Sequence, residues 1–167
     1  IALTVYGLAN SKGMVLNQQG VDLNNWHSLL EQPSVPLTVD NIKAFVRENH
    51  LINPVLVDST ANEDLALSYV DFLEAGFHVV TPNKKANTGS WQYYQALRTA
   101  AQKTQRRFLY ETTVGAGLPV IDTLQSLLKA GDELQQFEGV LSGSLSYIFG
   151  KLEQDMTLNQ PLVWFLQ

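Results

Sequence analysis

The sequence predicts an α/β fold built on a mainly parallel sheet, and three observations carry that expectation. Pro54-Val55-Leu56-Val57 is a continuous apolar run ending in Asp58-Ser59-Thr60, the pattern of a parallel strand buried on both faces. Strand-like stretches alternate with helical patterns of about ten to fifteen residues, which favours strands joined by helical crossovers. Hydrophobic residues make up 45% of the 167 and charged residues 16%, a balance that excludes disorder as the default and allows a real core.

Taken in order, Ala2 to Tyr6 reads as a strand closed by Gly7, followed by a loop rich in Asn10, Ser11, Gly13, Asn17 and Gly20. Asp22 to Gln32 predicts a short helix around Trp26, Leu29 and Leu30, ended by Pro33. Ile42, Phe45 and Val46 share one face of a second helix, with Thr38 as its cap. After the Pro54–Val57 strand, Asn62 or Thr60 caps a helix carrying Leu65, Tyr69, Phe72 and Leu73, and Gly76 ends it. Phe77 to Val80 is the next strand, stopped by Thr81-Pro82. A helix from about Ser90 to Lys103 presents Tyr94, Leu97 and Ala101 on one side. Arg107 to Tyr110 then reads as a strand, Leu118 to Lys129 as a helix, and Gln136 to Leu141 as a further strand. There is no internal repeat.

Charge and composition narrow the function. The net charge is −5, which argues against a protein that neutralises nucleic-acid phosphates with a basic face. The basic cluster Lys103, Arg106, Arg107 is read as a solvated helix end. With no cysteine there is neither a disulfide nor a thiolate nucleophile or ligand. His27, His50 and His78 are scattered without metal-ligand spacing and are read as structural. No apolar run approaches the ~20 residues needed to span a bilayer, and no leader pattern opens the chain, so a cytoplasmic protein with no membrane partner is expected. Ile1 stands inside a strand pattern, as in a chain cut into a longer fold.

In an open parallel sheet, ligands bind outside the carboxyl ends of the strands. That rule selects Ala9 to Lys12, Asp58 to Asn62, Thr81 to Lys85 and Glu111 to Leu118. Asp58-Ser59-Thr60 suits either a nucleotide cradle or a helix cap. Lys84 is either a solvated lysine or an ammonium that grips a phosphate or polarises a carbonyl. Val114-Gly115-Ala116-Gly117-Leu118-Pro119 permits close backbone approach to a ligand or makes a tight turn. Glu111 and the loop carbonyls could surround a hard cation.

At these places the sequence resembles the homoserine dehydrogenases. The carriers are Thr81-Pro82-Asn83-Lys84-Lys85-Ala86, the Glu111-to-Pro119 stretch and Leu141-Ser142-Gly143-Ser144-Leu145-Ser146-Tyr147-Ile148-Phe149, in matching order and spacing. Gly7-Leu8-Ala9-Asn10-Ser11-Lys12, with Asn24-Asn25-Trp26 beyond it, is similar in particular to the dehydrogenase half of bifunctional aspartokinase–homoserine dehydrogenases. The resemblance runs from about residue 2 to residue 156 and dissolves over Met156 to Gln167.

What the resemblance implies is a Rossmann-like sheet lacking its first strand, with residues 1–114 as a partial dinucleotide-binding domain. Residues 115–167 would then start an α+β substrate and dimerisation domain. The implied reaction is the NADPH- or NADH-dependent interconversion of aspartate semialdehyde and homoserine, a step of threonine and methionine biosynthesis. Thr60, Lys84 and Lys12 would lie at the cofactor, Lys12 favouring NADP if it meets a 2′-phosphate rather than solvent. Lys84 would also reach the substrate oxygen as the catalytic donor. Gly143 and Ser144 would face the substrate. Glu111 with the backbone oxygens of Val114, Ala116 and Leu118 would match a monovalent-cation site, sodium for example. Homo-oligomers and a fused aspartate kinase domain are further implications. The glycine-rich pyrophosphate loop and the acidic substrate residues of the family do not occur in this sequence, so weak or absent turnover is expected of this chain alone. A folded, non-catalytic interaction piece is the competing expectation. A phosphorylating semialdehyde dehydrogenase on the same scaffold would need a cysteine nucleophile, which is absent.

Overall fold

The computed structural model describes residues 3–140 and 142–153. The chain divides into two compact units, one of residues Ile1–Val80 with Lys85–Phe108 and the other of Thr81–Lys84 with Leu109–Gln167. The larger unit opens with an antiparallel hairpin, β1 (Gly7–Asn10) and β2 (Gly13–Leu16), rather than with the strand expected at residues 2 to 6. Ile1 and Ala2 lie outside the described residues. Register explains the shift: Asn10 pairs with Gly13, and the Asn10 side-chain oxygen accepts from the Lys12 amide at 2.8 Å, fixing a two-residue turn at Ser11-Lys12. Val5 and Tyr6 still use their carbonyls, accepting from Val21 and Asn17, but outside any strand.

A short 3-10 turn at Leu23–Asn25 leads into α1 (Trp26–Glu31). Asp22 caps that turn through the Asn24 amide, a bond that holds the carboxyl below its ordinary range. α2 (Val39–Glu48) begins as expected at Thr38, whose hydroxyl accepts from Asn41 at 3.1 Å. β3 (Val55–Val57) and β4 (His78–Val80) pair in parallel. The helical pattern between them breaks into α3 (Glu63–Leu67) and α4 (Tyr69–Glu74), because the Ser68 hydroxyl donates back to the Asp64 carbonyl and competes with the helix ladder. Gly76 follows α4 in the left-handed region, φ +90°, where glycine carries no Cβ penalty.

α5 (Lys85–Thr88), absent from the sequence expectations, precedes α6 (Trp91–Thr104), which Ser90 caps. β5 (Phe108–Leu109) completes the sheet in the order β3-β4-β5. The bonds from Val79 to the Arg107 carbonyl and from Thr81 to that of Leu109 advance together, as in a parallel pair. Tyr69, Phe72 and Leu73 of α4, Val79 of β4 and Leu97 of α6 are fully buried. Phe72 meets Phe77 edge-to-face at 5.2 Å between centroids. β3 departs from expectation in one respect. It lies at the end of the strand order, and Val55 and Val57 are 50% and 66% exposed instead of buried on both faces. The basic cluster keeps its expected place at the end of α6, with Lys103 in the last turn and Arg107 exposed; half-buried Arg106 also donates to Asn53, and the Arg107 backbone amide donates to His78.

The smaller unit contains a 3-10 turn at Glu111–Thr113, α7 (Val120–Lys129) and α8 (Gly143–Leu152). Residues 136–140 form no strand, contrary to expectation, and Leu141 lies outside the described residues. Gln136 bonds locally to Glu138, while Phe137 and Val140 stay exposed, and the stretch pairs with no strand among the described residues. The divergent stretch Met156 to Gln167 likewise lies outside the described residues. Among the described residues no helix is long and apolar enough to cross a membrane.

Candidate functional site

The chemistry-bearing loops follow the carboxyl ends of β3, β4 and β5, where the sheet rule places them. After β3, the Asp58 amide still pairs with the Val80 carbonyl, so strand geometry continues one residue further. Asp58 is buried, and one carboxylate oxygen accepts from the Thr60 amide at 2.8 Å. Its other oxygen accepts from the hydroxyl of fully buried Tyr69. Thr60 is exposed, and its hydroxyl oxygen accepts from the Asn62 amide at 3.1 Å. Asn62, rather than Thr60, caps α3 through Leu65 at 2.7 Å. Glu63 and Asp64 fill the first turn of α3, which makes that helix start unsuited to an anion. What the loop offers outward is hydroxyl side chains, Ser59 and Thr60, both exposed.

After β4, the Thr81 amide donates to Leu109 and the Thr81 hydroxyl accepts from Asn83 at 2.8 Å. Thr81 and Asn83 are buried, while Lys84 is exposed at the end of the turn they fix. The Thr81–Leu109 bond therefore sets the start of the Thr81-Pro82-Asn83-Lys84 segment against the start of the loop that carries Glu111 and Gly115. Both segments fall in the same compact unit.

That second loop is strongly specified. Gly115 and Ala116 are both left-handed, at φ +71° and +53°. A Cβ on Gly115 would stand 2.7 Å from Val120 Cγ2, whereas one on Gly117 would meet nothing within 4 Å. Only the first glycine of the pair is required by sterics. Pro119 at the start of α7 gives no side-chain cap. Glu111 supplies the cap from a distance, its two oxygens accepting from the Ile121 and Asp122 amides at 2.8 Å each. A carboxylate and backbone carbonyls, as on Glu111, Val114, Ala116 and Leu118, are hard-oxygen donors of the kind an alkali cation takes. Although Leu118 also accepts from Val120, a carbonyl has two lone pairs and a carboxylate about four, so capacity for a cation persists.

The remaining expected residues are dispersed. Lys12 is exposed at the tip of the β1–β2 hairpin, not after a strand of the parallel sheet. Gly143 and Ser144 occupy the exposed first turn of α8, which Ser142 caps through Leu145. Lys84, Glu111, Val114, Ala116, Leu118, Gly143 and Ser144 share the smaller unit, while Thr60 and Lys12 belong to the larger. Among the described residues no cluster of histidine and carboxylate side chains could hold a metal ion. Sequence reasoning missed Tyr69 as a partner of Asp58, since its helical spacing marked it only as core. It also missed the capping geometry of Glu111, for which the lack of a capping side chain at Pro119 was the available signal.

Parallel strands whose carboxyl ends carry polar and glycine-bearing loops define a dinucleotide-binding α/β domain of the Rossmann kind. The family model for the homoserine dehydrogenase NAD-binding domain matches residues 1–111, and the homoserine dehydrogenase model matches residues 119–163. The chain belongs to the homoserine dehydrogenase family. It is 52% identical over 160 residues to a bifunctional aspartokinase/homoserine dehydrogenase of Haemophilus influenzae, covering 96% of this chain and 20% of that protein. It superposes on a protein of unknown function from Candida auris with a TM-score of 0.81 and 35% identity, over 90% of this chain and 42% of that one. A hyperthermophilic archaeal homoserine dehydrogenase in complex with NADPH shares the fold, with a TM-score of 0.72 at 24% identity, over 95% of this chain and 49% of that one. The chain thus spans about a fifth of the bifunctional relative and under half of each solved structure.

Proposed function

We propose that the chain carries the cofactor side of a homoserine dehydrogenase, which interconverts aspartate semialdehyde and homoserine. The observation that supports the reading is the Thr81–Leu109 backbone bond, which joins the residue that opens the Lys84 segment to the strand residue just before the Glu111–Leu118 loop. Bound NAD(P)H would supply a hydride to the aldehyde carbon. Lys84 is the catalytic residue: its ammonium donates to the carbonyl oxygen and supports the negative charge that develops there as the carbonyl is reduced. Thr60 contacts the cofactor through its hydroxyl, and Lys12 favours NADP by pairing with a 2′-phosphate. Gly143 and Ser144 open the substrate-facing surface of a second domain, with the boundary near residue 114. Glu111 and the carbonyls of Val114, Ala116 and Leu118 hold a monovalent cation such as sodium that braces the loop. The parent protein is cytoplasmic, homo-oligomeric and joined to an aspartate kinase domain.

The test is an NADPH fluorescence titration of the purified chain with and without homoserine. Saturable binding that homoserine alters supports the reading. No binding contradicts it and favours a folded interaction piece. Turnover by the chain alone is expected to be weak or absent, and brisk NADPH-dependent homoserine formation would contradict that expectation. Any residual turnover should fall about a hundredfold in Lys84→Met, the scale of losing one donor to a developing oxyanion.

A further inference from the structure

Asp58 and Tyr69 form a buried polar pair, at 2% and 0% exposure. Placing a carboxylate and a phenol there has a desolvation cost that hydrophobic residues of similar size would avoid. The geometry offers a purpose beyond packing. Tyr69 lies on α4 with its ring tilted against Phe108, 5.8 Å between centroids, so the phenol is held in place by the core. Its hydroxyl donates to one Asp58 oxygen, and the other Asp58 oxygen accepts from the Thr60 amide at 2.8 Å. The Thr60 hydroxyl oxygen in turn accepts from the Asn62 amide at 3.1 Å, which directs the hydroxyl's own proton elsewhere. The rigid core is linked in this way, bond by bond, to one exposed side chain after β3.

We infer that Tyr69 and Asp58 are positioning residues for the cofactor loop, presetting Thr60 so that its hydroxyl donates to an oxygen of the bound dinucleotide. The inference rests on the reading of Thr60 given above. Asp58 acts through both carboxylate oxygens, so an asparagine, whose oxygen can accept from the Thr60 amide but whose NH2 cannot accept from the Tyr69 hydroxyl, should lose the Tyr69 link as Tyr69→Phe does. Tyr69 acts through its hydroxyl alone, so a phenylalanine keeps the packing and loses the function. Removing one link that preorders a binding loop should weaken binding by roughly threefold to tenfold, the scale of one net hydrogen bond.

The experiment measures two quantities on the 167-residue chain and its variants: the NADPH dissociation constant and the exchange rate of the Thr60 amide. Tyr69→Phe and Asp58→Ala are expected to speed exchange at Thr60 and to weaken NADPH binding about threefold to tenfold. Asp58→Asn, which keeps an acceptor for the Thr60 amide and loses the one for Tyr69, is expected to follow Tyr69→Phe in both. Exchange at Val79 in the sheet should be unchanged, which separates loss of positioning from loss of fold. Thr60→Val, which removes the hydroxyl and keeps the branch, should weaken binding directly. If Thr60→Val leaves NADPH affinity untouched, the cofactor reading of Thr60 fails and this inference fails with it. If Thr60→Val weakens binding while Tyr69→Phe and Asp58→Ala do not, the inference alone is overturned. Unchanged exchange at Thr60 in Tyr69→Phe and Asp58→Ala overturns it whatever the affinities.

Discussion

Glu111 and the two glycines that follow it show how much one position can decide. The Glu111 carboxylate answers two orphan amides at the start of α7 that Pro119 cannot serve. Glu111→Ala should therefore cost the smaller unit about 1–2 kcal/mol, the scale of a lost charged cap, as a lowered unfolding midpoint. Gly115→Ala meets Val120 at 2.7 Å from a left-handed backbone and should destabilise by about 1–3 kcal/mol. Gly117→Ala meets nothing and should be tolerated. Chemical denaturation of the three variants checks all of this, and equal costs at Gly115 and Gly117 would refute the steric distinction. At this scale the sequence revealed which residues matter more readily than why. Glu111 stood out beside its glycines, but the cap it forms spans ten residues and leaves no local spacing to read.

At the scale of elements, legibility followed local chemistry. The Thr38 cap of α2 and Gly76 after α4 were visible, because a cap is a short-range bond between neighbours, and α6 was visible as a helix from about Ser90. The hairpin was not, since a strand needs a partner, and the apolar residues before Gly7 looked as strand-like as those that paired. The same reason accounts for residues 136–140, which pair with no strand among the described residues. His78 makes the junction of β4 and β5 sensitive to acid. Its Nδ1 accepts from the Arg107 amide at 2.9 Å, which puts the ring proton on Nε2 and leaves the Arg106 contact at 3.3 Å as donor against donor. Burial first, then the charges of Arg106 and Arg107, push the imidazole below its usual value of 6.5. The neutral ring belongs to the folded state, so its contribution is complete above that usual value and is lost as pH falls through the lowered one. Thermal midpoints of the unsubstituted chain should drop more steeply below about pH 6.5 than those of His78→Asn, whose oxygen can accept from the same amide without titrating. Parallel pH profiles would show that His78 contributes nothing there.

For the whole molecule, the α/β class and the parallel sheet were legible because strand-like apolar runs recur between helical patterns, and the family was legible in three spaced motifs. Burial of β3 was not legible. An apolar run reports a strand able to be covered, while coverage depends on what packs against each face, and the face of β3 that carries Val55 and Val57 is exposed. The central claim is that the loops after β3, β4 and β5 form the cofactor side of a dehydrogenase. The most direct test is an amide-resolved NMR titration of the chain with NADPH. The expected result is saturable shifts concentrated at Asp58–Asn62, Thr81–Lys85 and Gly115–Leu118. Shifts confined to α2 and the surface of α7, or none that saturate, would contradict it.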